Sequence, residues 1–381
     1  MGTQIAPASG IHSLPLELLA DIARHTEASG LCALRLTCRA LYHSSLRYFT
    51  QTFVHTLKTD LSPKSLARVE KAANDEIFGP CVHKLKIIRN SKDCLGQLAP
   101  DNTSNETYIQ SWHDVIKRLV NCRSFELHYL TYTTLHPDGD GITLDAATGF
   151  LLETISTTNI PMESFSIDVM RYRDRRQQEN ITQFGLATFR IPAFSQLKEL
   201  SLAMPDAETE TINWMAKTIQ GAKSLRKLGI LFSWNCKSTS LLSQLSSVGC
   251  LPELQELTFS RMSIDSSAAL GMFLYNIRKS LRSVIFSVVQ LEPRGWRSIL
   301  RELSGDVYRL NSLILLRVVE SQRLVSFRRI LHYALAVRPL DRRLFHPGQL
   351  CFSEREDVVF TYSGPDFNQI IRRVADLIES S

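Results

Sequence analysis

A motif of three apolar residues returns eight times between residues 82 and 315, with two variable positions between the first and second and one between the second and third. Its instances are Val82-Leu85-Ile87, Cys122-Phe125-Leu127, Met162-Phe165-Ile167, Leu197-Leu200-Leu202, Leu225-Leu228-Ile230, Leu254-Leu257-Phe259, Leu281-Val284-Phe286 and Leu310-Leu313-Leu315. Successive starts lie 40, 40, 35, 28, 29, 27 and 29 residues apart, so the last five units share a period and the first three are expanded. The second and third apolar positions alternate as a strand with one buried face requires. Between motifs the period becomes helical: Ile109, Trp112, Val115, Ile116 and Leu119 share one face, and Ile212, Met215, Ala216 and Ile219 another. Leu270, Phe273, Leu274 and Ile277 form a third, with Ser266 or Ser267 placed to cap it, and Trp296, Ile299, Leu300 and Leu303 a fourth after Pro293. A strand followed by a one-faced helix cannot bury that face alone. The units are therefore expected to stack into a curved solenoid, with a parallel sheet on the concave side and helices on the convex side.

In such a stack the residues flanking the second apolar position point to the concave face. The polar ones are Lys84, Lys86, Glu126, His128, Asp168, Glu199, Lys227 and Glu256, with Ser or Thr filling most of the remainder. These form the candidate target-binding surface. Toward the C-terminus Ile285, Ile314 and Leu316 stand where earlier units hold polar groups, so something must cover the sheet there. Phe367, Ile370, Ile371, Val374, Leu377 and Ile378, opened after Pro365 and Asp366, are expected to form a one-faced capping helix. The array resembles degenerate leucine-rich repeats. The Asn expected after each motif is mostly missing, which implies turns built differently.

Ahead of the array, Leu14, Leu18, Leu19 and Ile22 share one helical face, and Leu31, Leu34, Cys38 and Leu41 a second, with Gly30 read as the break between two helices. Ser13 is placed to cap the first, Pro15 has the φ of an opening turn, and Glu17 puts negative charge where the helix dipole favours it. A unit this small has too little interior to be stable alone. Its faces must pack on each other and the next domain, or leave a patch for a partner.

The run Leu14-Pro15, Glu17-Leu18-Leu19 and Ile22, followed after a gap by Leu31, Leu34-Arg35-Leu36-Thr37-Cys38-Arg39 and Leu41, resembles the F-box. With the repeats behind it, the chain resembles fungal-type F-box proteins. The resemblance implies docking of the Skp-family linker of a cullin-type ubiquitin ligase through Leu14, Pro15, Leu18, Ile22, Leu31, Leu34 and Cys38. Leu19, Leu36 and Leu41 are read at least as readily as interior packing. Leu41-Tyr42 departs from the pattern, since many members carry Trp or another bulky aromatic there.

The fold class expected is thus an α/β repeat. Residues 1–10 are expected to be disordered, 11–55 to form the small all-α F-box-like module, 56–77 a linking helix, 78–340 the solenoid and 341–381 a C-terminal cap. A hydrophobic fraction of 44% and a charged fraction of 22% are those of an ordinary globular protein. The formal charge of +6 is too small a surplus to imply nucleic acid, and the densest basic cluster, Arg171, Arg173, Arg175 and Arg176, reads as a solvated loop. The start lacks the basic and apolar regions of a secretory signal, holds Ala6 where myristoylation prefers Ser or Thr, and no apolar stretch is long enough to span a bilayer. An intracellular protein, cytoplasmic or nuclear, with no membrane contact is expected.

Eight cysteines without a C-x-x-C pair encode neither a zinc ribbon nor a redox motif, and are expected to be reduced and mostly buried. No P-loop, G-x-G-x-x-G, G-x-S-x-G or H-E-x-x-H is present, and the ten histidines are dispersed. No catalytic residue, metal or cofactor is expected. The function expected is a substrate-recognition adaptor of a cullin-type (SCF) ubiquitin ligase, and the alternative a repeat scaffold for protein interactions without ligase association.

Overall fold

The structure is a computed structural model that describes residues 10–11, 14–89, 102–132, 144–158, 160–172, 194–204, 207, 209–232, 238–246, 251–320, 323–325, 359–363 and 367–378. Three helices come first, α1 (Leu16–Arg24), α2 (Ala28–Thr37) and α3 (Arg39–Phe49). Both α1 and α2 pack on α3, and Leu19, Ala23, Leu31 and Leu41 are buried. Three helices thus stand where two were expected, and the break is not at Gly30. That glycine lies inside α2, where a Cβ would meet Thr26 Cγ2 at 2.5 Å, so it serves close approach and not termination. The break between the first two helices falls at His25–Glu27, and a second at Cys38, extended at φ −158° and ψ 165°, ends α2 and opens α3. Pro15 holds the N-cap position of α1; Ser13, the expected cap, lies outside the described residues.

The chain passes from α3 through a π-helical turn at Thr50–Val54 into strand β1 (Thr56–Thr59) and helix α4 (Pro63–Asn74). Residues 56–77 are therefore not the single linking helix expected. Thr59 Oγ1 accepts the Leu61 N–H at 3.0 Å, Leu61 turns to a φ of 58°, and Ser62 Oγ caps α4 by accepting the Ser65 N–H at 3.2 Å. A strand stop and a helix start are packed into four residues.

All eight apolar motifs become strands of one sheet: β2 (Lys84–Arg89), β3 (Ser124–Tyr132), β4 (Ser164–Tyr172), β5 (Glu199–Ala203), β6 (Lys227–Leu231), β7 (Glu256–Ser260), β9 (Ser283–Ser287) and β11 (Ser312–Leu316). They pair parallel in chain order with β1 at the edge. The four helical faces read from the sequence lie in α5 (Asn102–Arg118), α7 (Thr209–Gly221), α9 (Ser267–Ile277) and α10 (Gly295–Leu303), with Ser266 Oγ capping α9. Two more, α6 (Leu144–Thr158) and α8 (Ser238–Ser246), complete the described part of this layer. The protein is a mixed α/β chain with a long parallel sheet covered by helices on one face. A single core runs between the layers from Val54 to Ile378, including Trp112, Phe165, Phe259 and Trp296.

The last three units explain how turns form without the expected Asn. One residue past each strand, Arg261, Val288 and Arg317 take φ of 52°, 59° and 50°, and Met262, Val289 and Val318, next along, are fully buried. Each left-handed residue swings the chain into a short second strand: β8 (Ser263–Ile264), β10 (Gln290–Leu291) and β12 (Val319–Glu320), which pair parallel and are joined by antiparallel β13 (Arg323–Leu324). Buried apolar side chains and backbone bonds such as Gln290 N–H to Met262 O at 2.8 Å replace the asparagine. A β-branched residue is strained in this conformation, which Asn adopts readily. Val288→Asn is expected to raise unfolding stability by about 1 kcal/mol, read from the urea midpoint.

At the far end β14 (Val359–Ser363) pairs antiparallel with β11, and α11 (Phe367–Ile378) packs on α10, burying Phe367, Ile370, Ile371, Val374, Ala375 and Ile378. The terminal helix is thus a cap on the helical layer, not the cover for Ile285, Ile314 and Leu316 that was expected. Those three stay half-buried on the open face. Of the described cysteines Cys32 is exposed, Cys38 and Cys81 are half-buried and Cys122 is buried, so mostly buried thiols are not found there; Cys94, Cys236, Cys250 and Cys351 lie outside the described residues. Burial pushes the Cys122 thiol up to about 12, which keeps it protonated and unreactive.

Candidate functional site

The parallel register lines up the residues of the open face in rows across the strands. One row reads Thr56, Lys84, Ser124, Ser164, Glu199, Lys227, Glu256, Ser283 and Ser312, and the next Lys58, Lys86, Glu126, Ser166, Ser201, Gly229, Thr258, Ile285 and Ile314. The inward positions between them, such as Leu85, Phe125, Phe165 and Leu200, are buried. All eight charged or polar residues expected on this face are there, because alternation along a strand sends every second side chain to the same side.

They are gathered into three groups. Lys84 Nζ meets Glu126 Oε2 at 2.8 Å, and Lys86 pairs with the other oxygen of the same carboxylate. His128 Nδ1 lies 2.9 Å from Asp168 Oδ2. Lys227 sits 3.5 Å from both Glu199 and Glu256. A groove of about 360 Å³ joins the first group to the third, with Lys84 and Glu126 at one end, Glu199, Lys227 and Glu256 at the other. Its floor is low because Ser166, Ser201, Gly229 and Thr258 occupy the row alongside Ser164, Glu199, Lys227 and Glu256. A Cβ at Gly229 would lie 3.4 Å from Ser201 Oγ.

The two ends carry opposite fields. Burial, then the positive charges of His83 and Lys84, hold His55 below 6.5 at the β1–β2 end, where His55 and His83 stack with centroids 5.0 Å apart. Glu256 and Glu199 raise Lys227 above 10.5 at the other. Glu126 is the hinge of the basic end: its burial acts to raise the carboxyl, yet bonds from Lys84 and Lys86 outweigh that and hold it below 4.5. A lowered carboxylate stabilises the fold fully above its unfolded value and loses that contribution as pH falls through the native one. Glu126→Gln is thus expected to flatten the fall in thermal midpoint on acidification below pH 4.5, measured against wild type at matched salt.

Lys58 was not legible as part of this face. It lies exposed on β1 in register with Lys86, in a segment read as helix; the alternation of Thr56, Leu57, Lys58 and Thr59 was the available signal. The basic cluster at Arg173, Arg175 and Arg176 lies outside the described residues.

The seven residues expected to dock a linker divide by placement. Leu18 is 51% and Ile22 37% exposed on α1, Pro15 is exposed, and Leu14, Leu34 and Cys38 are half-buried. Leu31, 3% exposed, is a core residue and presents nothing to a partner. Leu19 and Leu41 are interior, as the packing reading has it, whereas Leu36 is 88% exposed, because five residues past Leu31 a helix has turned to its opposite side. Leu16, at 62%, joins the exposed set. On α2, Arg35 lies 4.0 and 4.1 Å from the ring centroids of Tyr42 and Phe49 and donates to Tyr42 O at 3.4 Å. Phe49 also faces Phe78 at 6.0 Å, which ties the helices to the array.

Among the described residues no cluster suited to a metal ion is present, and no helix is long and apolar enough to cross a membrane. No family model matches the chain, and no curated protein does. Among solved structures an internalin of Listeria monocytogenes overlays 82% of this chain and 94% of its own at 11% identity and a TM-score of 0.28, too loose a superposition to carry an inference.

Proposed function

We propose that the protein is a non-catalytic adaptor of a cullin-type ubiquitin ligase, with its N-terminal helices docked to a Skp-family linker and its leucine-rich-repeat-like solenoid holding a target protein on the open, concave face. The observation that carries the reading is the division of α1: Leu19 and Ala23 are buried, while Leu18 and Ile22, one turn apart and rotated away from that side, are 51% and 37% exposed. Apolar side chains exposed together on one helix face favour association. The F-box-like order of residues names the partner. Catalysis by proximity follows: the scaffold raises the effective concentration of a target lysine near the ubiquitin thioester and supplies no acid or base of its own.

Co-expression with a Skp-family linker and a cullin tests this. A stoichiometric complex on gel filtration is the expected result, and a folded chain that elutes free of linker overturns it. The alternative, a repeat scaffold in which the helices only close the first strand, is favoured by the Phe49–Phe78 contact and the packing of the turn at Thr50–Val54 on β1.

A further inference from the structure

Three lysines, Lys58, Lys84 and Lys86, cluster at the β1–β2 end of the open face, and among the described residues Glu126 is the one carboxylate paired with them. Four strand steps away, Glu199 and Glu256 flank Lys227, so that end has a surplus of negative charge. Between them, on β3 and β4, the open face holds Ser124, Ser164 and Ser166, and beyond β7 the row of Lys86 turns to Ile285 and Ile314. Basic, small and polar, acidic, apolar: the order runs across the strands, along the stack.

At about 4.8 Å per strand, the lysines stand roughly 19 Å from Lys227, and the isoleucines begin roughly 10 Å further. The groove runs across the strands from Lys84 on β2 to Glu256 and Thr258 on β7. It suits a single extended chain, whose rise of about 3.3 Å per residue sets the matching spacing. Nucleic acid does not fit, because Glu199 and Glu256 would meet its phosphates.

Resting on the reading of this face as the target site, we propose that it takes an extended segment of the target protein. The segment carries an acidic side chain at the β1–β2 end, a lysine or arginine roughly six residues away opposite Glu199 and Glu256, and an apolar side chain roughly three residues beyond. Residues between the two charges are small, because Ser124, Ser164 and Ser166 on the intervening strands let the backbone approach. Complementary charge at both ends fixes register and direction more than it adds strength.

Panning a display library of random 15-residue peptides on the full chain tests the proposal. Enriched sequences are expected to share the order acid, base, apolar at these spacings. A second panning uses Glu199→Lys with Glu256→Lys, both exposed positions, and is expected to replace the base by an acid. A third, on Lys58→Glu, is expected to weaken the acidic preference, with two- to fivefold loss in affinity for the wild-type peptides. Enriched peptides without a common charge order, the same peptides on all three proteins, or no enrichment over an unrelated control each overturn it. Failure of the ligase reading is seen separately, in linker co-purification, which involves none of these residues.

Discussion

Phe286→Ala is expected to lower stability by about 3–5 kcal/mol, the largest effect on the sheet of any single substitution considered. The ring is fully buried, in register between Phe259 and Leu315 on the adjoining strands. It meets Phe259 at 6.1 Å and the edge of Trp296 at 5.3 Å. Truncation removes transfer energy, leaves a cavity that a strand held on both sides cannot collapse, and breaks two aromatic pairs worth roughly 0.5–1.5 kcal/mol each. In a stack each unit leans only on its neighbours, so the damage should be local first. Hydrogen exchange is expected to quicken over β7, α9, β9 and α10 before it changes at β2 or β3. A uniform rise in exchange, or a loss under about 1 kcal/mol, would show that the unit is not packed as described.

The double substitution Leu18→Lys and Ile22→Lys is expected to abolish retention of a Skp-family linker while leaving the fold intact. Both side chains are more than a third exposed, and Lys is a good helix former, so the change in unfolding midpoint should correspond to less than about 0.5 kcal/mol. Losing two apolar contacts from an interface centre at about 1.5–2 kcal/mol each corresponds to a hundredfold or more in affinity. Leu19→Lys is the control. That residue is 1% exposed, so the charge should unfold the helices themselves. Unfolding by the double variant, with the first strands of the array lost as well, would instead favour the scaffold reading.

The eight motif strands were legible because their apolar spacing is tied to one physical demand, a strand with one face against helices. Register then carried the charged residues to the open face without further information. Elements with less apolar content escaped. β1 offers Leu57 alone, and α8 is crowded with Ser238, Ser240, Ser243 and Ser246 around Leu241, Leu242 and Leu245, so a propensity argument reads loop there. The two-residue strands β8, β10 and β12 have no periodicity to detect; they exist because left-handed residues redirect the chain. In the N-terminal helices the error came from glycine. Gly30 reads as a helix breaker in sequence, yet the limit at that position is the space beside Thr26; the break read there lies at His25–Glu27, and a further one uses an extended Cys38 that no propensity marks. The inward turn of Leu31 and outward turn of Leu36 follow from that phase.

The reversed strand at the end of the sheet bears on how such a chain can change over generations. Every strand from β1 to β11 offers the next unit the same parallel pattern of donors and acceptors, so a copied unit inserted among them finds a partner on either side. β14 runs the other way, and a unit added after it would meet a ladder of the opposite polarity. Gain or loss of repeats is therefore confined to the interior of the array, where the spacing of 27 to 29 residues is kept. Length is free to vary there while both ends stay as they are.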